Sequence, residues 1–199
     1  PSAARGASSS YKVSGTASGL IGSGLVLRNN GGDNLTVTAN GPLAFATGVA
    51  GGAAYNATVL TQPTNPSQTC TVTNGSGTTN TGSLPNVTVN CTRNSYTVGG
   101  TVSGLIGAGL SLQNKAVSTV PVAGNGAFAF PTPLVSGAKY EVKATAQPAG
   151  PNQTCTAQSA AGTVGAGNVT SVSIPCAVNG TYYYAVNPSS NTLSIYRVQ

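Results

Sequence analysis

The chain has 199 residues, of which 39% are hydrophobic and only 5% charged, with eight basic and two acidic side chains and no histidine; an ordinary soluble domain is about 25% charged. Without histidine the usual general base and metal ligand is missing, and Asp33 and Glu141, at non-equivalent positions, offer no paired-carboxylate mechanism. The basic residues Arg5, Lys12, Arg28, Arg93, Lys115, Lys139, Lys143 and Arg197 are scattered, not gathered into the stripe that nucleic-acid binding needs.

The sequence therefore predicts a non-enzymatic protein with no cofactor, no metal and no nucleic-acid partner. Low charge does not mean disorder here, because Val, Thr and Tyr are plentiful. Ser, Thr, Asn, Gln and Gly must cover the surface, and weak self-repulsion opposes chain association less. No apolar run is long enough to span a membrane. No signal-peptide pattern opens the chain at Pro1 and no methionine occurs, so a processed or partial product is expected.

Residues 1–10 read as a small, polar N-terminal extension. Tyr11 then opens YKVSGTASGLIGSGLVLRN, and Tyr96 opens YTVGGTVSGLIGAGLSLQN, at an offset of 85 that holds through the copy. Phe45 matches Phe130, Tyr55 matches Tyr140, Gln62-Pro63 matches Gln147-Pro148, Cys70 matches Cys155 and Cys91 matches Cys176. A duplicated domain over 11–92 and 96–177 is the reading, with a very short linker at Thr92–Ser95.

Within the first copy, strands are expected over Tyr11–Ser18, Leu25–Asn29, Asn34–Ala39, Leu43–Thr47, Tyr55–Leu60, Thr69–Asn74 and Val87–Thr92. The alternation of Tyr140, Val142 and Ala144 with Glu141, Lys143 and Thr145 marks a half-buried strand, its charged members facing water. Asn40-Gly41 and Asn125-Gly126 are the sharpest turn signals. About seven short strands per copy predict two tandem Ig-like, two-sheet sandwiches.

Four cysteines allow three connectivities. Folding Cys70–Cys91 as a hairpin, with its loop near Gly75–Gly82, sets Cys70 opposite Cys91 and Val72 opposite Val89; the second copy sets Cys155 opposite Cys176 and Ala157 opposite Ile174. This register and the duplication favour intradomain bridges Cys70–Cys91 and Cys155–Cys176. Each would contribute about 3 kcal/mol in the chain-entropy model, and together they imply an oxidising compartment. A zinc site is disfavoured by the absence of CxxC spacing and of histidine.

The segment GNGAFAFPTPLVSGAKYEVKA (Gly124–Ala144) resembles the G-x-F-x-F … G-x-x-Y-x-V pattern of prealbumin-like and collagen-adhesin B-type modules. Each whole copy resembles a repeat of secreted bacterial proteins, Y-x-V-G-G-T-V-S-G-L … Q-x-C-T-V. The resemblance implies stalk-like sandwiches on a cell surface and transfers no catalytic motif. Residues 181–199 depart from the repeat. YYYAVNPSSNTLSIYRV (Tyr182–Val198) resembles the first hairpin of a lactonase-type or YVTN-type β-propeller blade, with Asn187–Asn191 as its turn. Propellers are built of four-stranded blades, and the resemblance covers half of one.

Two weaker signals remain. Asn-x-Ser/Thr triplets occur at Asn34, Asn56, Asn74, Asn86, Asn90, Asn152, Asn168 and Asn179, a frequency that an Asn- and Thr-rich chain produces by chance. The Tyr182–Tyr184 cluster reads as sheet packing ahead of a carbohydrate-stacking platform.

The functional expectation is a secreted, cell-surface structural protein. It would be a filament or stalk subunit assembling head to tail by β-strand addition through Tyr182, Tyr184, Val186, Leu193 and Ile195. The alternative is a pair of spacer domains continuous with a C-terminal β-propeller. A second alternative is a glycan- or surface-binding adhesin module.

Overall fold

The computed structural model describes residues 9–80, 85–188, 190 and 192–198. The fold is all-β, with no helix among the described residues, so none is long and apolar enough to cross a membrane. The chain divides into two compact units, Pro1–Asn94 and Ser95–Gln199. The first holds β1 (Ser10–Ser18), β2 (Leu25–Asn29), β3 (Asp33–Val37), β4 (Gly41–Ala50), β5 (Ala54–Thr61), β6 (Gln68–Thr73), β7 (Ser76–Thr78) and β8 (Asn86–Arg93). The second holds β9 (Ser95–Tyr96), β10 (Val98–Ser103), β11 (Leu110–Asn114), β12 (Ser118–Val122), β13 (Gly126–Ala129), β14 (Leu134–Val135), β15 (Lys139–Ala146), β16 (Gln153–Cys155), β17 (Ala161–Thr163) and β18 (Val169–Val178). It ends in β19 (Thr181–Asn187) and β20 (Thr192–Val198).

Each unit is built on two four-stranded sheets, ordered β4-β1-β8-β6 and β3-β2-β5-β7 in the first, β13-β10-β18-β16 and β12-β11-β15-β17 in the second. The inward residues of both sheets share one core. In the first unit Val13, Leu43, Phe45, Val87 and Val89 from one sheet meet Leu25, Leu27, Tyr55 and Ala57 from the other. Strict alternation produces this, since β2 buries Leu25, Leu27 and Asn29 and β5 buries Tyr55 and Ala57. In the second unit the aromatic share is larger, with Phe128 edge-on to buried Phe130 at 5.8 Å between centroids.

All pairings within these four sheets are antiparallel except one in each unit, where the first long strand runs parallel to the last: β1 with β8 and β10 with β18. There Gly15 faces Val87, and Gly100 faces Val172. A Cβ at either glycine would fall on the carbonyl oxygen of its valine partner, so the close approach requires glycine.

The Asn40-Gly41 turn signal falls on a bend between strands, with Gly41 at φ 118°, but it joins no paired strands. It lies where the chain leaves β3 in one sheet for β4 in the other, and its asparagine braces Leu20: Leu20 N–H donates to Asn40 Oδ1 (2.8 Å) and Asn40 Nδ2 donates to the Leu20 carbonyl (2.9 Å). The tight hairpin turn is instead Asn30-Gly31, both with positive φ, closed by Gly32 N–H to the Asn29 carbonyl. The segment between Cys70 and Cys91 is also more than a hairpin loop, because β7 crosses to pair with β5 in the opposite sheet. Gly82, the far end of that expected loop, lies outside the described residues.

Buried amides hold the loops to the sheets. Gln68 is 1% exposed. Its Oε1 accepts from Ile21 N–H (2.8 Å) and Gly22 N–H (2.6 Å), and its Nε2 donates to the Gly19 carbonyl (2.7 Å). Gln153 repeats the arrangement on Ile106, Gly107 and Gly104. One neutral side chain thus satisfies three backbone groups of a loop that has no strand partner. Gln68→Ala should destabilise the first unit by about 3 kcal/mol, since it strands those groups, and leave the second unit unchanged; Gln153→Ala should do the converse. Chemical denaturation followed at unit-specific amides reads both, and equal losses in the two units would contradict this account.

Candidate functional site

Among the described residues no three of His, Cys, Asp and Glu come together. Asp33 belongs to the first unit and Glu141 to the second, and Asp33 has a backbone task described below. The candidate surfaces are the sheet edges and the C-terminal ribbon.

The cysteines pair as the register requires. Cys70 faces Cys91, Cys155 faces Cys176, and both pairs are disulfides with Cα atoms 4.0 Å apart. Val72 faces Val89 in the first unit. In the second, the ladder is interrupted after Cys155 and resumes in the same register at the Gln158–Ser173 bridge. Two disulfides point to an oxidising environment.

The staple sits where β6 is open. Opposed residues of an antiparallel pair alternate between those that exchange hydrogen bonds and those that do not. The N–H and C=O of Cys70 turn away from β8, toward the free edge. Gln62 closes that edge: Cys70 N–H donates to Gln62 Oε1 (2.7 Å) and Gln62 Nε2 donates to the Cys70 carbonyl (3.0 Å). Next to it, Gln68 N–H donates to the Pro63 carbonyl (3.2 Å). Gln147 does the same to Cys155 (2.8 and 3.1 Å), beside Gln153 N–H on the Pro148 carbonyl (3.3 Å). The Gln-Pro pair before each staple thus imitates a neighbouring strand.

On the other edge of the first unit's sheet, Thr47 N–H in β4 donates to Asp33 Oδ2 (2.8 Å). These contacts occupy part of the template on which another chain would pair. Composition gave no sign of them. The recurrence of Gln62 at Gln147, and of Gln68 at Gln153, was the only available signal, and a recurring glutamine reads as surface until its bonds to the backbone are seen.

The ribbon β19–β20 pairs Thr181 with Val198 through Asn187 with Thr192. Among the described residues its strands pair only with each other. The register sets Val186 opposite Leu193 and Tyr184 opposite Ile195. Of the expected assembly residues, Val186 is 70% exposed and Leu193 58%; the side chains of Tyr182, Tyr184 and Ile195 lie outside the described ones. Four of the triplet asparagines are engaged through Oδ1: Asn34 accepts from Arg28, Asn90 from Ser18, Asn168 from Thr97 N–H and Asn179 from Thr154.

No protein-family model matches the chain, and no curated protein matches it in sequence.

Gln62→Ala should uncap β6 at Cys70. The expected result is a stability loss of about 1 kcal/mol together with concentration-dependent self-association, measured by sedimentation velocity. A variant that stays monomeric at high concentration would show that the cap has no protective role.

Proposed function

We propose that this chain is a non-enzymatic, extracellular structural element: two disulfide-stapled Ig-like sandwiches that act as spacers for a β-propeller-type domain whose first hairpin is β19–β20. The observation that carries the reading is the ribbon. It is fully paired along seven residues per strand, yet it exposes Val186 and Leu193. A lone two-stranded ribbon is marginal in water, and further strands are needed to make it stable. A four-stranded blade supplies them, and the resemblance of Tyr182–Val198 to a blade hairpin agrees. The disulfides support an oxidising, extracellular setting, and the pairing of two four-stranded sheets supports the Ig-like, stalk-type assignment of each unit.

A filament or stalk subunit is the second reading. The low charge favours it, and the exposed Val186–Leu193 pair would then be covered by another copy of the chain. Two features weaken strand addition as its mechanism. Gln62, Gln147 and Asp33 cap sheet edges that would receive a strand, and β19 is already paired to β20.

Hydrogen exchange and native mass distinguish the readings. In the 199-residue chain alone, amides of 181–198 should exchange close to the unprotected rate, while Val13, Val87, Val102 and Ile174 exchange slowly. The native protein should be much heavier than 19.4 kDa, with the ribbon amides protected, and should appear as discrete particles in negative stain. Fibres built from a native chain of this mass would establish the filament instead.

A further inference from the structure

Each unit ends one of its sheets in the second strand of the same hairpin, β3 beside β2 in the first and β12 beside β11 in the second. Among the described residues no strand lies beyond either one. The registers match: Leu25 with Val37 through Asn29 with Asp33, and Leu110 with Val122 through Asn114 with Ser118. Gly32 N–H donates to the Asn29 carbonyl, so the backbone of Asn29 turns toward β3. Antiparallel alternation then makes Leu27 and Leu35 exchange hydrogen bonds. It turns the N–H and C=O of Asn34 and Thr36 away from β2, toward the open edge, and both residues are exposed.

The second unit closes this edge and the first does not. At the position of Thr36 the second unit carries Pro121. Proline has no N–H to donate, and its ring occupies the side on which a further strand would pair. The shared register shows that the fold accepts proline here, so Thr36 keeps an outward donor that the fold does not need. Proline, lysine and bulges are the usual guards of a sheet edge. None protects β3, since Asn34 and Thr36 are neutral and its ladder with β2 runs without a shift.

We infer that β3 pairs with β3 of a second copy of this chain, antiparallel about a two-fold axis at Leu35, to make a closed dimer. Asn34 of one copy faces Thr36 of the other, and each such pair exchanges N–H···O=C bonds in both directions. On the inner face Leu35 meets its own counterpart, which covers a side chain that each copy leaves half-buried against its core. On the outer face Asn34 Oδ1 accepts from Arg28 Nε (3.0 Å), and Asn34 Nδ2 can donate to the Thr36 hydroxyl across the axis. Asp33 falls opposite Val37, so no like charges oppose each other, and the low charge of the chain adds little repulsion. The occupant is a copy of the chain because the edge is self-complementary: reversed on itself, it matches donor to acceptor and leucine to leucine. With Pro121 on the second hairpin, this mode leaves each chain a single open edge, so pairing stops at two and does not propagate. Gln62 caps the other sheet, and uncapping it would add species beyond this dimer. The dimer is independent of the spacer reading: it doubles the native mass and leaves the denatured mass unchanged, whereas a further domain raises both.

The test is sedimentation velocity of the 199-residue chain at concentrations up to about 1 mM, with amide exchange measured at both ends of the range. A reversible dimer is expected, and exchange at Asn34 and Thr36 should slow at least about tenfold on concentration while Thr119 stays unchanged. Thr36→Pro, which installs the second unit's residue, should weaken dimerisation at least about tenfold and keep slow exchange at Val13 and Val87, the sign that it folds. Pro121→Thr, which opens the second hairpin, should form species larger than the dimer. The exchange pattern of the parent decides even where Thr36→Pro fails to fold. A parent that stays monomeric, protection that appears away from Asn34 and Thr36, a folded Thr36→Pro that dimerises like the parent, or a Pro121→Thr chain that stops at the dimer would overturn the assignment.

Discussion

The parallel contact between the first and last strands of each unit is the constraint on which the rest depends. β1 must lie against β8 at Gly15–Val87, and β10 against β18 at Gly100–Val172, so the two ends of each repeat meet in the middle of a sheet. This position gives β1 partners on both sides, β4 and β8, and puts the unit's outer edges on β4 and β6. Those are the edges at which the amide and carboxylate caps are found. The same closure places Cys91 beside β6, where the staple can form. A side chain at Gly15 would part the strands and expose all of this at once.

A chain with few charges has to meet its buried backbone groups with neutral ones. Here the amide does that work. Gln68 binds three backbone groups of the loop after β1, Gln62 completes the edge at Cys70, Asn29 holds β5 and Asn40 holds Leu20. An amide offers donor and acceptor together, so it can replace a strand's peptide group without the desolvation cost of a buried ion. Each of the four recurs at the same place in the second unit. The low charge and the abundance of Asn and Gln are therefore linked: the amides bond the backbone from inside at Gln68 and Asn29 and from the surface at Gln62 and Asn40.

The strands were legible because alternation decides them. Leu25–Asn29 was expected to the residue, and the Cys70–Cys91 register follows from counting along an antiparallel pair. The turns were less so. Asn40-Gly41 and Asn30-Gly31 are the same dipeptide, yet one crosses between sheets and the other turns a hairpin, and the difference lies in what Asn40 bonds to twenty residues away. The pairing of β7 with β5 was hidden for a similar reason, since Ser76–Thr78 has no apolar member to reveal its alternation. Lys115 could be set beside Glu141 only once the β11–β15 pairing was known.

Duplication supplies an internal comparison that a single domain lacks. A residue kept in both copies and bonded alike, such as Gln68 and Gln153, answers to the fold. A residue that differs while its surroundings are kept answers to something else. Asp33 and Ser118 occupy one such position: the carboxylate caps Thr47, whereas Ser118 Oγ is buried with no partner among the described residues. The carboxylate contact at the sheet edge therefore belongs to one copy alone. The scaffold is shared because the closure of each sandwich leaves little choice at Gly15, Gln68 and the cysteines. The copies diverge at positions such as Asp33 and Ser118 that carry no such demand, and it is at those positions that a distinct role for each copy has room to arise.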